Sequence, residues 1–295
     1  MSRLYVDTRN ILNLDISMKS PVKARALGRY SSIFKGKGLE FDGFRVYSEN
    51  DDDSELIDWK ASVRANELLV REFVEERNVN VFFLIDVGST MQFGSIGKLK
   101  GEYVAEVALS LAYSILKTGD AIGFCLHADS DKCRYSFLNG PKQFYIFSES
   151  ITNPKFYGGG FNFNKASEFL LGFAKKGDIV FLISDFINLK GDWKNSLSML
   201  SGKFEVIGIM VRDVRDSKMP VGSGVVTIED PITGRQITMR SSNVKKKYEE
   251  YAKKQENIVE NAFLKSKQGF IKIYTNESFV EPITNFFNLR SRRWR

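Results

Sequence analysis

A chain of 295 residues, of which 43% are hydrophobic and 27% charged, is long enough to form one large globular domain or two unequal ones. Its net charge of +7 is modest for this length and is spread along the sequence, so it does not favour a nucleic-acid partner. The single histidine, His127, excludes zinc and enzyme sites that require several histidines, and we expect it to be structural.

The first 78 residues differ from the rest of the chain, because they contain few long apolar runs and carry an acidic stretch at Asp51–Asp53. A second charged stretch follows over residues 71–77. We therefore predict an irregular or small β-rich subdomain over residues 1–78, packed on the domain that follows.

Beyond this region, wholly apolar segments alternate with amphipathic ones. Residues 81–85 predict a strand that is covered on both faces, because the segment shows no polar alternation. Residues 98–117 carry apolar side chains at helical spacing, which predicts a long amphipathic helix. A second buried strand at residues 121–128 and an edge strand at residues 133–137 follow, and Pro141 indicates the first turn of a further helix.

The second half of the chain continues this alternation. The predicted elements are a helix over residues 165–176, a strand over 179–184, a short helix over 192–200, a strand over 204–211, a hairpin insertion near 221–240, a long helix over 243–267 and a late strand over 270–274. Because strands alternate with helices, residues 79–295 are predicted to form a doubly wound α/β domain with a mostly parallel sheet.

Asp86 comes directly after the first apolar strand and is followed by Gly88, Ser89 and Thr90. A second acid, Asp185, follows a later apolar strand. In open parallel sheets, ligands bind in the crevice beyond the carboxyl ends of the strands. We therefore expect the functional chemistry at this edge of the sheet.

Two resemblances would make Asp86 part of an enzyme. The string from Asp86 to Thr90 is similar to the phosphate-binding turn of the actin and sugar kinase superfamily, but there the turn joins two antiparallel strands, whereas a long helix follows here. In haloacid-dehalogenase-like phosphotransferases the acid is a nucleophile, but a second acid is needed two residues later, where this chain has Gly88. The alternative function is thus a magnesium-dependent phosphatase or ATPase that uses Asp86.

The same residues resemble the metal-ion-dependent adhesion site of the von Willebrand factor type A fold. In that site, hydroxyl and carboxylate oxygens hold a small divalent ion, which leaves one position for a partner's acid. The resemblance implies Mg²⁺ or Mn²⁺ bound by Asp86, Thr90 and Asp185, with Ser89 as a further candidate ligand.

Two positions depart from the pattern of that adhesion site. Gly88 stands where a serine ligand is expected, and Phe161, after the Gly159–Gly160 pair, stands where a threonine ligand is expected. Because neither residue offers a side-chain oxygen, we expect weak metal binding. The other interpretation is that Asp86 and Asp185 only cap nearby loops and helix starts.

The N-terminal region resembles the domain of unknown function 58 family, in which short motifs precede a von Willebrand type A-like domain. The motifs are Gly-x-Glu-Phe, Arg-x-Tyr, an Asp-Asp pair, Ile-Asp-Trp and Ala-x-Arg. Asn50 departs from the pattern, and an arginine expected before Ile57 is missing. The matching residues are Gly38, Glu40, Phe41, Arg45, Tyr47, Asp51, Asp52, Ile57, Asp58, Trp59, Ala61 and Arg64.

This resemblance implies a non-enzymatic adaptor or chaperone-like scaffold that works with a MoxR-type AAA+ ATPase and an unknown client protein. Charged and aromatic residues are interleaved in the signature, which suits either a partner interface or salt bridges within the subdomain. The candidate partner-binding residues are Glu40, Arg45, Tyr47, Asp58, Trp59 and Arg64.

No apolar run reaches the roughly 20 residues that span a bilayer, and the first residues lack the apolar stretch of an export signal. We therefore expect a cytoplasmic protein. In that compartment Cys125 and Cys133 are expected to be free thiols.

Overall fold

The computed structural model describes residues 3–7, 9, 39–48, 52–75, 80–220 and 224–293. Two residues of the family signature, Gly38 and Asp51, lie outside the described residues. The chain divides into two compact units, one formed by Leu27–Asn78 and the other by Met1–Ala26 with Val79–Arg295.

This division differs from the predicted one in the residues nearest the N-terminus. Leu4 donates its backbone N–H to the carbonyl oxygen of Thr152 at 3.0 Å, and Asp7 donates its backbone N–H to the carboxylate of Glu106 at 2.8 Å. Both acceptors belong to the larger unit. The predicted subdomain over residues 1–78 therefore includes residues that bond to the sheet domain instead.

The described part of the smaller unit consists of an antiparallel pair of strands, a 3-10 helix at Ser54–Leu56 and one short α-helix. Strand β1 (Leu39–Val46) pairs with β2 (Leu69–Glu75) in antiparallel fashion. Helix α1 (Trp59–Ala65) lies between them in the chain, and Asp58 caps it by accepting a hydrogen bond from the backbone N–H of Ala61 at 2.9 Å. The sequence predicted β structure here but not α1, because seven residues are too few to show a helical period.

The larger unit contains the remaining strands, numbered in chain order. Strands β8 (Val225–Glu229) and β9 (Gln236–Arg240) pair with each other as a separate hairpin. The strands of the central sheet are β3 (Asn80–Asp86), β4 (Ala121–His127), β5 (Asp131–Leu138), β6 (Ile179–Ser184), β7 (Glu205–Arg212) and β10 (Gly269–Tyr274).

The central sheet has the strand order β10-β7-β6-β3-β4-β5, and every neighbouring pair is parallel except β4 with the edge strand β5. This arrangement confirms the predicted doubly wound, mostly parallel α/β fold. The chain first moves from β3 to β4 on one side and later returns to β6 on the other side of β3. The carboxyl ends of β3 and β6 therefore flank the switch point, where such folds bind their ligands.

The helices of the larger unit cover both faces of the sheet and agree with the predicted positions, apart from a four-residue helix at Val214–Ser217 and the last helix. The sequence did not predict a helix after residue 280, because Pro282 interrupts the pattern; proline is nevertheless tolerated in a first helical turn. The helices are α2 (Lys100–Lys117), α3 (Pro141–Ile151), α4 (Phe163–Phe173), α5 (Trp193–Lys203), α6 (Val214–Ser217), α7 (Ser241–Lys265) and α8 (Val280–Arg293).

Apolar side chains on both central strands anchor the switch point. Phe82 and Leu84 of β3 and Leu182 of β6 are fully buried in one core with residues of α4, α5 and α7. Because interiors are close-packed, strands held in this way keep the residues that follow them in defined positions.

Candidate functional site

Buried charged side chains from four segments meet at the switch point. Asp86 ends β3, Asp185 follows β6, Lys100 begins α2 and Asp216 lies in α6. Asp86, Asp185 and Lys100 are each 1% exposed. The structure thus brings the two acids predicted from the sequence to one edge, together with two charged residues that the sequence did not single out.

Asp86 joins the turn after β3 to the end of β6. Its Oδ1 accepts the backbone N–H of Gly88 at 2.8 Å, and its Oδ2 accepts the hydroxyl of Ser184 at 2.6 Å. The Ser184 hydroxyl oxygen in turn accepts the backbone N–H of Phe186 at 2.9 Å. The interpretation of Asp86 as a loop cap therefore accounts for both of its oxygens.

Lys100 forms a buried ion-pair network. Its Nζ donates to Asp185 Oδ2 at 2.7 Å and to Asp216 Oδ2 at 2.9 Å. Asp185 Oδ1 accepts the backbone N–H of Ile187 at 2.9 Å. The ammonium group of Lys100 therefore neutralises the carboxylate that was predicted to bind a metal ion.

The protonation of this cluster follows from its burial and its charges. Burial, together with the neighbouring Asp185, raises the pKa of Asp86 to about 7. Burial opposes ionisation of Asp185 as well, but Lys100 and Arg212 outweigh it and hold the pKa of Asp185 below its usual value. Burial would lower the pKa of Lys100, but Asp185 and Asp216 raise it above its ordinary value.

The turn after β3 is held close to the loop that follows α3. The backbone N–H of Ser89 donates to Gly159 O at 2.8 Å, and the N–H of Gly159 donates to the Ser89 hydroxyl at 3.0 Å. A Cβ atom on Gly88 would lie 3.1 Å from Asp86 Oδ1 and 3.2 Å from Gly159 O. Glycine at this position thus permits the close approach of the two loops, which explains why no hydroxyl ligand stands there. Thr90 is buried at the same edge.

His127 and Phe161 have structural environments. His127 is 1% exposed, with Nδ1 2.7 Å from Asp131 Oδ1 and Nε2 3.1 Å from the carbonyl oxygen of Asn162. The ring of Phe161 lies edge-on to the ring of His127 at 6.0 Å and packs against the core. These contacts support the expectation that His127 is structural.

The arrangement does not fit a divalent ion on Asp86, Thr90 and Asp185. An ion bound to Asp185 would lie within a few ångströms of the Lys100 ammonium, which is 2.7 Å from the same carboxylate. Two like charges at that separation repel strongly in a buried site. Mg²⁺ or Mn²⁺ would therefore have to displace Lys100 first.

Titration of the protein with Mn²⁺ is expected to give no binding heat, because Lys100 already compensates Asp185 and Asp216. Lys100→Ala removes the ammonium and is expected to create weak Mn²⁺ binding on the two carboxylates. Isothermal titration calorimetry checks both results, with Lys165→Ala, an exposed lysine on α4, as the matched control. Mn²⁺ binding by the wild type that disappears in Asp86→Ala would contradict this expectation.

A groove of about 770 Å³ lies against the charged cluster. Lys100, Asp216 and Thr90 line it together with the loop after β3 and residues of the β8–β9 hairpin. The same groove carries the exposed ring of Phe93, which is 42% exposed, and the exposed basic residues Arg215 and Lys218. Its lining therefore combines apolar contact area with exposed charges, of which Arg215 and Lys218 are basic and Glu229 is acidic.

The predicted partner-binding residues of the smaller unit divide into two groups. Arg45 pairs with Asp52 at 2.6 Å, and Asp58 both caps α1 and accepts the Arg71 Nε–H at 2.7 Å. These charges hold the unit together. Trp59, which is 65% exposed, and Arg64 are exposed on α1.

Two further predicted partner-binding residues help to hold the smaller unit together through backbone contacts. Tyr47 is half-buried and donates its backbone N–H to Leu68 O at 2.8 Å. Glu40 lies in β1, where its backbone pairs with that of Val74. Trp59, Arg64 and Arg45 are thus predicted partner-binding residues with exposed side chains in the described part of this unit, and Arg45 is already paired with Asp52.

Comparisons with known proteins agree with the resemblance noted in the sequence. The model of a family described as "Protein of unknown function DUF58" matches residues 43–258. An uncharacterized protein of Mycobacterium tuberculosis is 22% identical over 223 residues, which are 75% of this chain and 69% of that protein. A counterpart in Mycobacterium bovis shows the same identity and coverage.

Solved structures that are similar to parts of this chain include BatB from Bacteroides thetaiotaomicron. BatB is 16% identical, with a TM-score of 0.49, and the match covers 73% of this chain and 99% of BatB. A von Willebrand factor type A protein from Catenulispora acidiphila is 10% identical, with a TM-score of 0.34, over 49% of this chain and 35% of that chain.

Among the described residues, no helix combines the length and apolar character needed to cross a membrane.

Proposed function

This chain belongs to the family described as protein of unknown function DUF58, and from that premise we propose that it is a non-enzymatic protein-binding adaptor that works with a MoxR-type AAA+ ATPase. The proposed contact site is the groove beside Lys100 and Asp216. The observation that carries the proposal is that this groove lies at the carboxyl edge of the sheet, over the switch point.

The groove offers the two kinds of contact that protein interfaces use. Phe93 supplies exposed aromatic area, and aromatic residues are enriched at the centres of interfaces. Arg215 and Lys218 are exposed beside it and would attract acidic residues of a partner. Because Lys100 is buried in its ion pairs, the basic rim rather than a metal ion would receive the partner's acid.

The proposed binding does not depend on Mg²⁺ or Mn²⁺. The ion pairs of Lys100 with Asp185 and Asp216 connect α2, the end of β6 and α6, so the rim is held together by the chain itself. A metal ion could contribute to partner binding only in a state in which Lys100 no longer pairs with Asp185 and Asp216.

The alternative, a phosphatase or ATPase that uses Asp86, gains no support from the geometry of that residue. A carboxylate nucleophile must present an oxygen to the substrate. Asp86 is 1% exposed and both of its oxygens accept hydrogen bonds.

Affinity capture from a native lysate, followed by mass spectrometry, tests the adaptor proposal. We expect the wild type to recover an AAA+ ATPase equally well with Mg²⁺ and with EDTA. The double variant Arg215→Glu/Lys218→Glu is expected to recover at least about ten-fold less, because rim charges set the rate and specificity of association.

The matched control is Lys175→Glu/Lys176→Glu, which reverses two exposed charges just before β6, at the opposite edge of the sheet. This control should recover as much ATPase as the wild type. Absence of any AAA+ ATPase from the wild-type capture, or equal losses in both double variants, would overturn the proposal. Capture that is lost in EDTA but retained with Mg²⁺ would show that a divalent ion takes part in the interface.

A further inference from the structure

Arg212, the last residue of β7, is a buried cation with unused hydrogen-bonding capacity. Its side chain is 3% exposed, and its Nε and Nη2 atoms are buried without a hydrogen-bond partner among the described residues. A buried polar donor that remains unpaired costs free energy, and a charged one costs more. An unpaired guanidinium therefore requires an explanation.

The two acids whose pKa Arg212 lowers are already bonded to other groups. Asp185 pairs with Lys100 at 2.7 Å. Glu256 accepts the Ser217 hydroxyl at 2.6 Å and pairs with Lys272 at 3.1 Å. These carboxylates feel the charge of Arg212, since it lowers the pKa of both Asp185 and Glu256, but neither occupies its donors.

A cavity of about 380 Å³ lies next to Arg212, between α7 and the loop that follows β6. Its volume falls within the range of roughly 300–1,000 Å³ that small-molecule sites occupy. Its walls are mainly aromatic and aliphatic, a composition typical of sites that hold the apolar body of a ligand. The side chains that form these walls include Phe186, Leu189, Trp193, Tyr248, Tyr251 and Val259.

We propose that this cavity binds a small organic carboxylate with an apolar body, whose carboxylate pairs with the Nε–Nη2 edge of Arg212. That edge of a guanidinium carries two parallel N–H groups, which match the two oxygens of a carboxylate. The apolar body lies among the aromatic walls, where Trp193 and Tyr251 remove it from water.

A carboxylate suits the cavity better than a phosphate does. A phosphate dianion needs more donors than one guanidinium edge supplies, and Lys190 is the other basic residue in the described lining. The lining also contains Asp216, which is paired with Lys100 and would repel a dianion more than a monoanion. The site adjoins the groove at Phe93 and Arg215, with which it shares Ile187, Asp216 and Tyr248, but its occupation does not require a partner protein.

The probe for this site is 3-phenylpropionate, and the matched neutral probe is 3-phenylpropanamide, which has the same shape without the charge. Calorimetry on the full chain is expected to show saturable binding of the acid and at least about ten-fold weaker binding of the amide. Equal binding of the two probes, or no binding of the acid up to about 10 mM, would overturn the proposal.

Two variants locate the probe. Arg212→Met is expected to lose the preference for the acid, whereas Arg215→Met, which removes an exposed arginine three residues further on, should keep it. Because Arg212→Met also changes a buried position, Ala252→Leu provides a second variant, which narrows the cavity from α7 while leaving Arg212 in place. Unchanged acid binding in either Arg212→Met or Ala252→Leu would place the probe elsewhere and contradict the proposal.

Discussion

Replacement of Lys100 by methionine is expected to lower the free energy of unfolding by about 3–5 kcal/mol, because removing one partner of a buried ion pair leaves the other charges uncompensated. Asp185 and Asp216 would remain in a site where Asp185 is 1% exposed, 2.7 and 2.9 Å from the lost ammonium in the wild type. Urea denaturation at neutral pH measures the difference, which is large relative to the total stability of about 5–15 kcal/mol of most domains.

Lys165→Met is the matched control for this prediction, because Lys165 is an exposed lysine near the start of a helix. Its effect should stay within about 0.5 kcal/mol. The double variant Lys100→Met/Asp185→Asn should be less destabilised than the sum of its single variants, since the second change removes a charge that the first leaves unpaired. Additive effects, or an Lys100→Met protein as stable as the control, would show that the ion pair does not contribute as described.

The stability of the wild type is expected to fall, relative to that of Asp86→Asn, as the pH rises from 5 to 8. The pKa of Asp86 is raised to about 7 in the folded protein from an ordinary value of 3.8, first because of burial and then because of Asp185. A group whose folded pKa is raised contributes stability that is fully present below its unfolded pKa and is lost as the pH rises through its folded pKa. The contribution of Asp86 to the free energy of unfolding is therefore lost as the pH rises from about 4 to about 7.

Asparagine imitates the neutral carboxyl group, so Asp86→Asn should lack this loss. The difference in unfolding free energy between Asp86→Asn and wild type should increase by about 2.5 kcal/mol from pH 5 to pH 8 in favour of the variant. Chemical denaturation at both pH values gives this double difference, with Glu168→Gln, an exposed acid on α4, as the control. Parallel pH profiles for Asp86→Asn and wild type would mean that Asp86 ionises in the folded protein as easily as in the unfolded chain.

These two experiments connect the stability of the site to its proposed role. If Lys100 stabilises the rim and Asp86 carries a raised pKa, the edge of the sheet is an internally compensated cluster. Such a cluster positions the groove at Phe93 and Arg215 without an ion, which is the arrangement that the adaptor proposal requires.

Most of the central fold could be predicted because its causes are local. The strands β3 and β6 are buried on both faces, so they read as unbroken apolar runs, and α2 shows its apolar spacing over 18 residues. The same reasoning failed for α1 and α6, whose seven and four residues are too few to show a period, and for α8, where Pro282 obscures the start.

Part of the site was also predictable. Asp86 and Asp185 each follow an apolar strand, and parallel strands bring their carboxyl ends to one edge of the sheet, so their proximity follows from the fold class alone. The absence of a hydroxyl at Gly88 and at Phe161 was visible in the sequence as well. Its physical reason at Gly88, the close approach of Gly159 O, became visible only in the structure.

The partners of the charged residues were decided by the tertiary structure. Lys100 opens an amphipathic helix, where lysine is ordinarily solvated, and nothing in its neighbourhood marks it as buried. Its partners Asp185 and Asp216 lie 85 and 116 residues away along the chain. Arg212 likewise reads as the polar end of an apolar strand, and its missing partners cannot be recognised locally.

The sequence by itself therefore determined the α/β architecture, the edge of the sheet at which the acids gather and the family to which the chain belongs. The tertiary structure alone decided that the ammonium group of Lys100 faces Asp185, and that Nε and Nη2 of Arg212 lack partners beside an aromatic cavity among the described residues. The physical reason is that apolar periodicity is a local property, whereas the protonation and pairing of a buried charge depend on every group that the fold places around it.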